Sequence, residues 1–126
     1  MNELAFHDGY LDGLLASKSS VRLFLQTSDG KKSTLILNGL QRLVANDVRE
    51  DNIILSAEFL LPAQIDTDLI QSVYQYSDER MKKFDMAQWR VKAESEKLKV
   101  LAISPSYGCS LLAIFRDYEF LDEYAV

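Results

Sequence analysis

His7 and Asp8 are adjacent, and an imidazole beside a carboxylate suits both acid–base chemistry and metal binding, because the carboxylate orients the ring and raises its basicity. Neighbours on an extended chain point to opposite faces, so in a regular strand Asp12, not His7, shares a face with Asp8. The plainer reading has His7 capping the first strand and Asp8-Gly9 forming a turn. Ser106-Tyr107-Gly108-Cys109-Ser110 holds the lone cysteine, a nucleophile if a nearby base lowers its pKa. The one imidazole in the sequence, His7, is almost a chain length away. A cysteine followed by Ser110, Leu111 and Leu112 also reads as a small buried hydrophobe. Asn46–Asn52 is rich in oxygen, but a calcium loop needs Asp-x-Asp-x-Asp-Gly and a distant Glu. This stretch has no Gly, and the Arg49 cation opposes a metal, so a turn closed by an Arg49–carboxylate pair is expected. Tyr74 and Tyr76 are two residues apart and cannot share a buried helix face. Tyr76 is therefore expected at the surface, where an aromatic can anchor a partner. The candidate binding residues are His7, Asp8, Asp12, Tyr76, Tyr107 and Cys109. No catalytic residue, metal ligand or cofactor is assigned. One His and one Cys cannot build a usual zinc site, and neither nucleotide-binding glycine fingerprint is present.

These residues need elements to position them. Tyr10 to Leu15, Val21 to Leu25, Thr34 to Leu37, Leu40 to Ala45 and Ile53 to Leu60 carry short apolar patterns, mostly of period two. Turn chemistry separates them at Ser28-Asp29-Gly30 and Asn38-Gly39. Phe24 falls on the polar face of its strand. Ile54 and Leu60 interrupt theirs, which predicts a strand covered on both sides. Leu69, Ile70, Val73, Tyr74, Ser77, Met81 and Phe84 then recur at helical steps. A helix is expected between Thr67 and Ala87, capped by Asp66 or Thr67 and breakable at Ser77-Asp78. Trp89, Val91 and Ala93 alternate with Arg90, Lys92 and Glu94, predicting a return to strand. Leu98 to Ser104 and Ser110 to Tyr118 complete an antiparallel meander around Pro105–Gly108. The fold class is α+β: a mostly antiparallel sheet of about seven strands, layered or a partly open barrel, with a helical insertion.

The chain has 126 residues, which fits a single domain over 1–126. Apolar residues make up 48% and charged residues 26%, ordinary for a globular domain, and five Gly and two Pro are too few for collagen-like or low-complexity classes. Nineteen acidic against 14 basic residues give a net charge of −5, which repels nucleic acid. After Arg116 come Asp117, Glu119, Asp122 and Glu123 with no further base. This stretch is either a solvated terminal strand or a contact surface for a basic partner. No apolar run is long enough to span a membrane. The start of the chain lacks the charge pattern of a signal peptide, so the expected location is cytoplasmic.

Four stretches carry a resemblance. They are Phe6-His7-Asp8-Gly9-Tyr10-Leu11-Asp12-Gly13, Val21-Arg22-Leu23-Phe24-Leu25, 46–54 and Ser104-Pro105-Ser106-Tyr107-Gly108. Together they resemble a family of small bacterial proteins of uncharacterised function. That family has an N-terminal His-Asp-Gly-x-Leu-x-Gly element and a Pro-Ser-Tyr-Gly hairpin. Some chains of this size and style are similar to immunity proteins of bacterial toxin systems. The resemblance implies a cytoplasmic binding protein, immunity-like in that it neutralises a partner protein. The alternatives are a small-molecule-binding domain or enzyme using His7, Asp8 and Tyr107, and a homodimeric structural protein paired through a sheet edge.

Overall fold

The computed structural model describes residues 2–74, 79 and 85–126. Its strands are β1 (Asn2–Glu3), β2 (Tyr10–Ala16), β3 (Ser20–Gln26), β4 (Lys32–Asn38), β5 (Arg42–Asn46), β6 (Ile53–Leu60), β7 (Lys99–Tyr107), β8 (Ser110–Phe115) and β9 (Asp117–Leu121). The helices are α1 (Thr67–Tyr74) and α2 (Met86–Ser95). The described strands make one antiparallel sheet in the order β5-β8-β7-β6-β2-β3-β4-β9, with short β1 added beside β6. Eight strands lie on this path, against about seven expected. Ser110 to Tyr118 is not a single strand: it breaks at Arg116 into β8 and β9, which offsets the loss of the strand expected at Trp89 to Glu94.

The sheet is open, since β5 and β9 stand at its two ends, yet it curls around one core. β4 runs into β5 and β8 into β9, and these two passages pair with each other twice: β4 with β9, and β5 with β8. Between the ladders the Arg116 N–H donates to Asn38 O at 3.0 Å, and the Gln41 N–H to Ile114 O at 2.7 Å. Leu11, Leu23, Leu35, Leu37, Ala57, Phe59, Leu101, Leu111 and Phe115 fill the concave side.

α1 and α2 cover the other face of the β5–β8–β7–β6 part, packing Ile70, Val73 and Ala93 onto Val100 and Ile114. That is why β7 and β8 are nearly continuous apolar runs: consecutive residues feed two cores. β6 is covered on both sides only towards its end, with Phe59 in the concave core and Leu60 against the helices; Ile54 joins the concave core because the register shifts around it, and Leu55 is left exposed. α1 starts where expected, with Asp66 Oδ1 accepting the Leu69 N–H at 2.8 Å. The expected break at Ser77-Asp78, and Tyr76 itself, lie outside the described residues.

Trp89 to Glu94 is helical, not a strand, so the meander has two of its three expected members. Asp85 caps α2 by accepting the Gln88 N–H at 3.1 Å. Met86, Ala87, Gln88, Lys92, Ala93 and Glu94 are good helix formers. Met86, Trp89 and Ala93 fall on one helical face and pack on the core, while Val91 is 67% exposed. The apparent period of two was set by Val91, which does not face the core. None of the helices among the described residues is long and apolar enough to cross a membrane.

Candidate functional site

Two regions gather chemistry-bearing side chains. The first surrounds the start of β6. The chain bends at Phe6–Gly9, where the Gly9 N–H donates to Phe6 O at 2.8 Å and Asp8 takes φ 60°. Asp tolerates this left-handed conformation better than most residues. The bend lies along one side of Ile53–Leu55, with the Asp8 N–H donating to Ile54 O at 2.9 Å. Tyr107 and Pro105 pair with Ile53 and Ile54 on the other side, across two bulges that accommodate the proline. His7, Asp8, Tyr107 and Cys109 thus come to one end of the sheet. The bends flank the same strand, which puts their backbones about 10 Å apart.

The individual geometries restrain what these groups do. His7 Nδ1 lies 2.7 Å from Leu55 O, so this nitrogen carries the proton and donates. Nε2 faces Asp8 Oδ2 at 3.4 Å, an ion pair when the ring is charged, with both side chains about two-thirds exposed. An exposed pair of this kind contributes little to stability. Cys109 is 2% exposed, and its Sγ sits 3.6 Å from Ser110 O. Burial first, then the Asp47 carboxylate, pushes the Cys109 thiol above its ordinary pKa. It is the buried hydrophobe of the plainer reading. No three His, Cys, Asp or Glu side chains converge on a metal-sized space among the described residues.

The raised thiol pKa gives a direct expectation. Alkylation of Cys109 in the native protein should be much slower than that of a free thiol at pH 8, and should recover on unfolding in denaturant. Native-state labelling at the free-thiol rate would contradict the burial.

Asn52, the last residue of the oxygen-rich 46–52 stretch, organises this end of the sheet. It is 5% exposed. Its Oδ1 accepts the Arg49 N–H at 2.8 Å and the Cys109 N–H at 3.0 Å. Its Nδ2 donates to Leu11 O at 3.1 Å and Arg49 O at 2.9 Å. One side chain therefore ties the 46–52 loop, β2 and the β7–β8 turn together. The expected Arg49–carboxylate pair is not what closes the loop: among the described residues Arg49 makes no salt bridge, and its backbone holds Asn52 instead. Gly108 turns the hairpin at φ +89°, and a Cβ there would stand 2.5 Å from Asn52 Oδ1, so only glycine fits.

The second region is β9 and the segment after it. Tyr118 and Phe120 pair with Leu37 and Leu35, which are fully buried, so the two rings face the concave side. Tyr118 stacks 4.6 Å from Phe59, and Phe120 lies 6.5 Å from Phe6. Both nevertheless remain about 40% exposed, because among the described residues no strand pairs with the far side of β9. Asp117 and Glu119 lie on the opposite face and are exposed. Arg116, the last base, is engaged with Glu96 at 2.6 Å.

Asp122 to Val126 then crosses the convex face of β4, β3 and β2. Buried Thr34 donates its hydroxyl to Glu123 O at 2.7 Å and accepts the Ala125 N–H at 2.9 Å. Arg22 donates to Ala125 O at 3.1 Å. Tyr124 donates its hydroxyl to Asp12, with Phe24 edge-on at 5.4 Å and the Lys32 ammonium 5.3 Å over its ring. This explains Phe24 on the polar face: it packs against Tyr124. Asp12 belongs to this strap rather than to the His7 end, so the structure separates it from Asp8.

No protein-family model matches this chain, and no curated protein or solved structure matches it significantly. The functional reading therefore rests on the two regions themselves.

Burial, and then the Asp12 carboxylate, raise the Tyr124 hydroxyl well above the ordinary tyrosine pKa. A hydroxyl held protonated in the fold stabilises it fully below the unfolded pKa of about 10, and that contribution is lost as pH rises above it. Tyr124→Phe is expected to remove a phenol that ionises above the ordinary tyrosine range in an ultraviolet titration and to flatten the stability loss above that pH. An unchanged titration curve would place Tyr124 in solvent.

Proposed function

We propose that this protein is a binding module that docks a basic partner protein along β9. The supporting observation is an edge strand at the end of the sheet. It presents an acidic row on one face and two half-exposed aromatic rings on the other. Sheet edges are ordinarily blunted by charged side chains, proline or bulges. Asp117–Leu121 has no proline and no bulge, and its only charges are the carboxylates of Asp117 and Glu119. Its acidic row instead disfavours pairing with a second copy, because like charges on one face of adjacent strands repel. That argues against the homodimer alternative at this edge. Complementary charge speeds encounter, and buried aromatics supply the anchors.

In its sharper form the protein is an immunity-like cytoplasmic protein that neutralises a basic toxin. The net acidity and the resemblance of the 6–13 and 104–108 stretches support that form. The small-molecule alternative keeps one support, the gathering of His7, Asp8 and Tyr107 beside Ile53–Leu55.

The test compares two baits in extracts of the native cell: the wild-type chain and the Asp117→Lys/Glu119→Lys variant. A protein retained by the first and lost by the second is expected. A partner retained equally by both would overturn docking at β9.

A further inference from the structure

We propose that the partner segment seated on β9 is an extended strand in which Lys or Arg alternates with apolar residues. The proposal rests on the docking reading above and adds the chemistry of the occupant. Side chains directly opposite in adjacent strands share a face. β9 places Asp117 and Glu119 on the convex face, opposite Asn38 and Ile36, and Tyr118 and Phe120 on the concave face, opposite Leu37 and Leu35. A strand added beyond β9 inherits this alternation. Its residues beside Asp117 and Glu119 meet two carboxylates, with Asp122 and Glu123 further along the chain. Its residues beside Tyr118 and Phe120 meet ring surface continuous with Phe59 and Phe6.

A one-residue slip is costly, because it moves every side chain to the other face. It would drive the ammonium groups toward the aromatic core edge and expose the apolar side chains beside the carboxylates. β9 has five residues, so the matching segment spans about five residues, or roughly 17 Å. Affinity comes from main-chain hydrogen bonds along the free edge, and selectivity from the alternate side chains.

The experiment uses the full chain and two labelled peptides of identical composition, both capped and flanked by Gly-Ser. One is Lys-Val-Lys-Val-Lys and the other Lys-Lys-Lys-Val-Val, and binding is followed by fluorescence anisotropy. The alternating peptide is expected to bind at least tenfold more tightly. It should lose that advantage on Tyr118→Ser/Phe120→Ser, with circular dichroism confirming the fold. N-methylation along one edge of the alternating peptide should abolish binding, and along the other edge should leave it intact. Equal affinity for the two peptides, both lost on Asp117→Asn/Glu119→Gln, would overturn the alternation rule and leave docking at β9 standing. Binding of neither peptide, or binding indifferent to Asp117→Asn/Glu119→Gln, would overturn both.

Discussion

Replacing Asn52 with alanine is expected to lower the free energy of unfolding by about 3 kcal/mol. The side chain makes four hydrogen bonds from a nearly buried position, to backbone groups of Leu11, Arg49 and Cys109. Alanine leaves the Cys109 N–H and Leu11 O without these partners, and an unmet buried polar group costs about 1–3 kcal/mol. It also releases the loop before β6 from the β7–β8 turn. Cys109→Ala is the informative contrast. Its thiol makes one long contact to Ser110 O, so the change should cost little more than the lost sulfur's packing, on the order of 1 kcal/mol. Urea denaturation of both variants measures the pair. A neutral Asn52→Ala beside a severely destabilised Cys109→Ala would reverse the roles assigned here.

Asn52 also shows where sequence reading stops. The strands 10–16, 20–26 and 53–60 were legible because antiparallel strands with one covered face alternate in step with their pleat, whereas 32–38, buried on both faces, was legible from the turns that bound it. The helix start at Thr67 was legible because Asp66 is a strong cap. Trp89 to Glu94 was misread because residues four apart, here Trp89 and Ala93, share a face in a strand and in a helix alike, and the exposed Val91 supplied the false beat between them. Asn52 looked like one more polar residue in a polar loop. Its importance comes from partners 41 and 57 positions away, Leu11 and Cys109, which no local pattern records.

The candidate site was legible to the same limited degree. His7, Asp8, Tyr107 and Cys109 lie at one end of the sheet, because β6 runs between their two stretches. Asp12 does not join them, since a bulge after Leu11 and the strap residue Tyr124 place it elsewhere. The acidic run after Arg116 was visible as charge. Its meaning as an edge was not, because it depends on β9 lying last in the sheet and on the half-exposure of Tyr118 and Phe120.

Neutralising that run with Asp117→Asn, Glu119→Gln, Asp122→Asn and Glu123→Gln is expected to slow association with the partner about tenfold at low salt, the lower end of electrostatic steering. The wild-type rate should fall toward the variant's as salt rises, since the screening length shrinks from about 10 Å at 0.1 M to about 3 Å at 1 M. Dissociation should change less, because it is governed by desolvated anchors, here Tyr118 and Phe120. The domain should stay folded: Asp117 and Glu119 are exposed, and the Glu123 contact to Thr34 uses its backbone carbonyl. Stopped-flow traces across a salt series separate the two rates. A wild-type rate flat with salt would mean that the acidic stretch is a solvated strand end.

Hydrogen exchange locates the docking surface most directly. The β9 amides that do not bond to β4 should exchange quickly in the free protein and at least tenfold more slowly once the captured partner is bound. Unchanged exchange along Asp117–Leu121, with new protection at the His7–Tyr107 end of the sheet or on the exposed face of α2, would contradict the account.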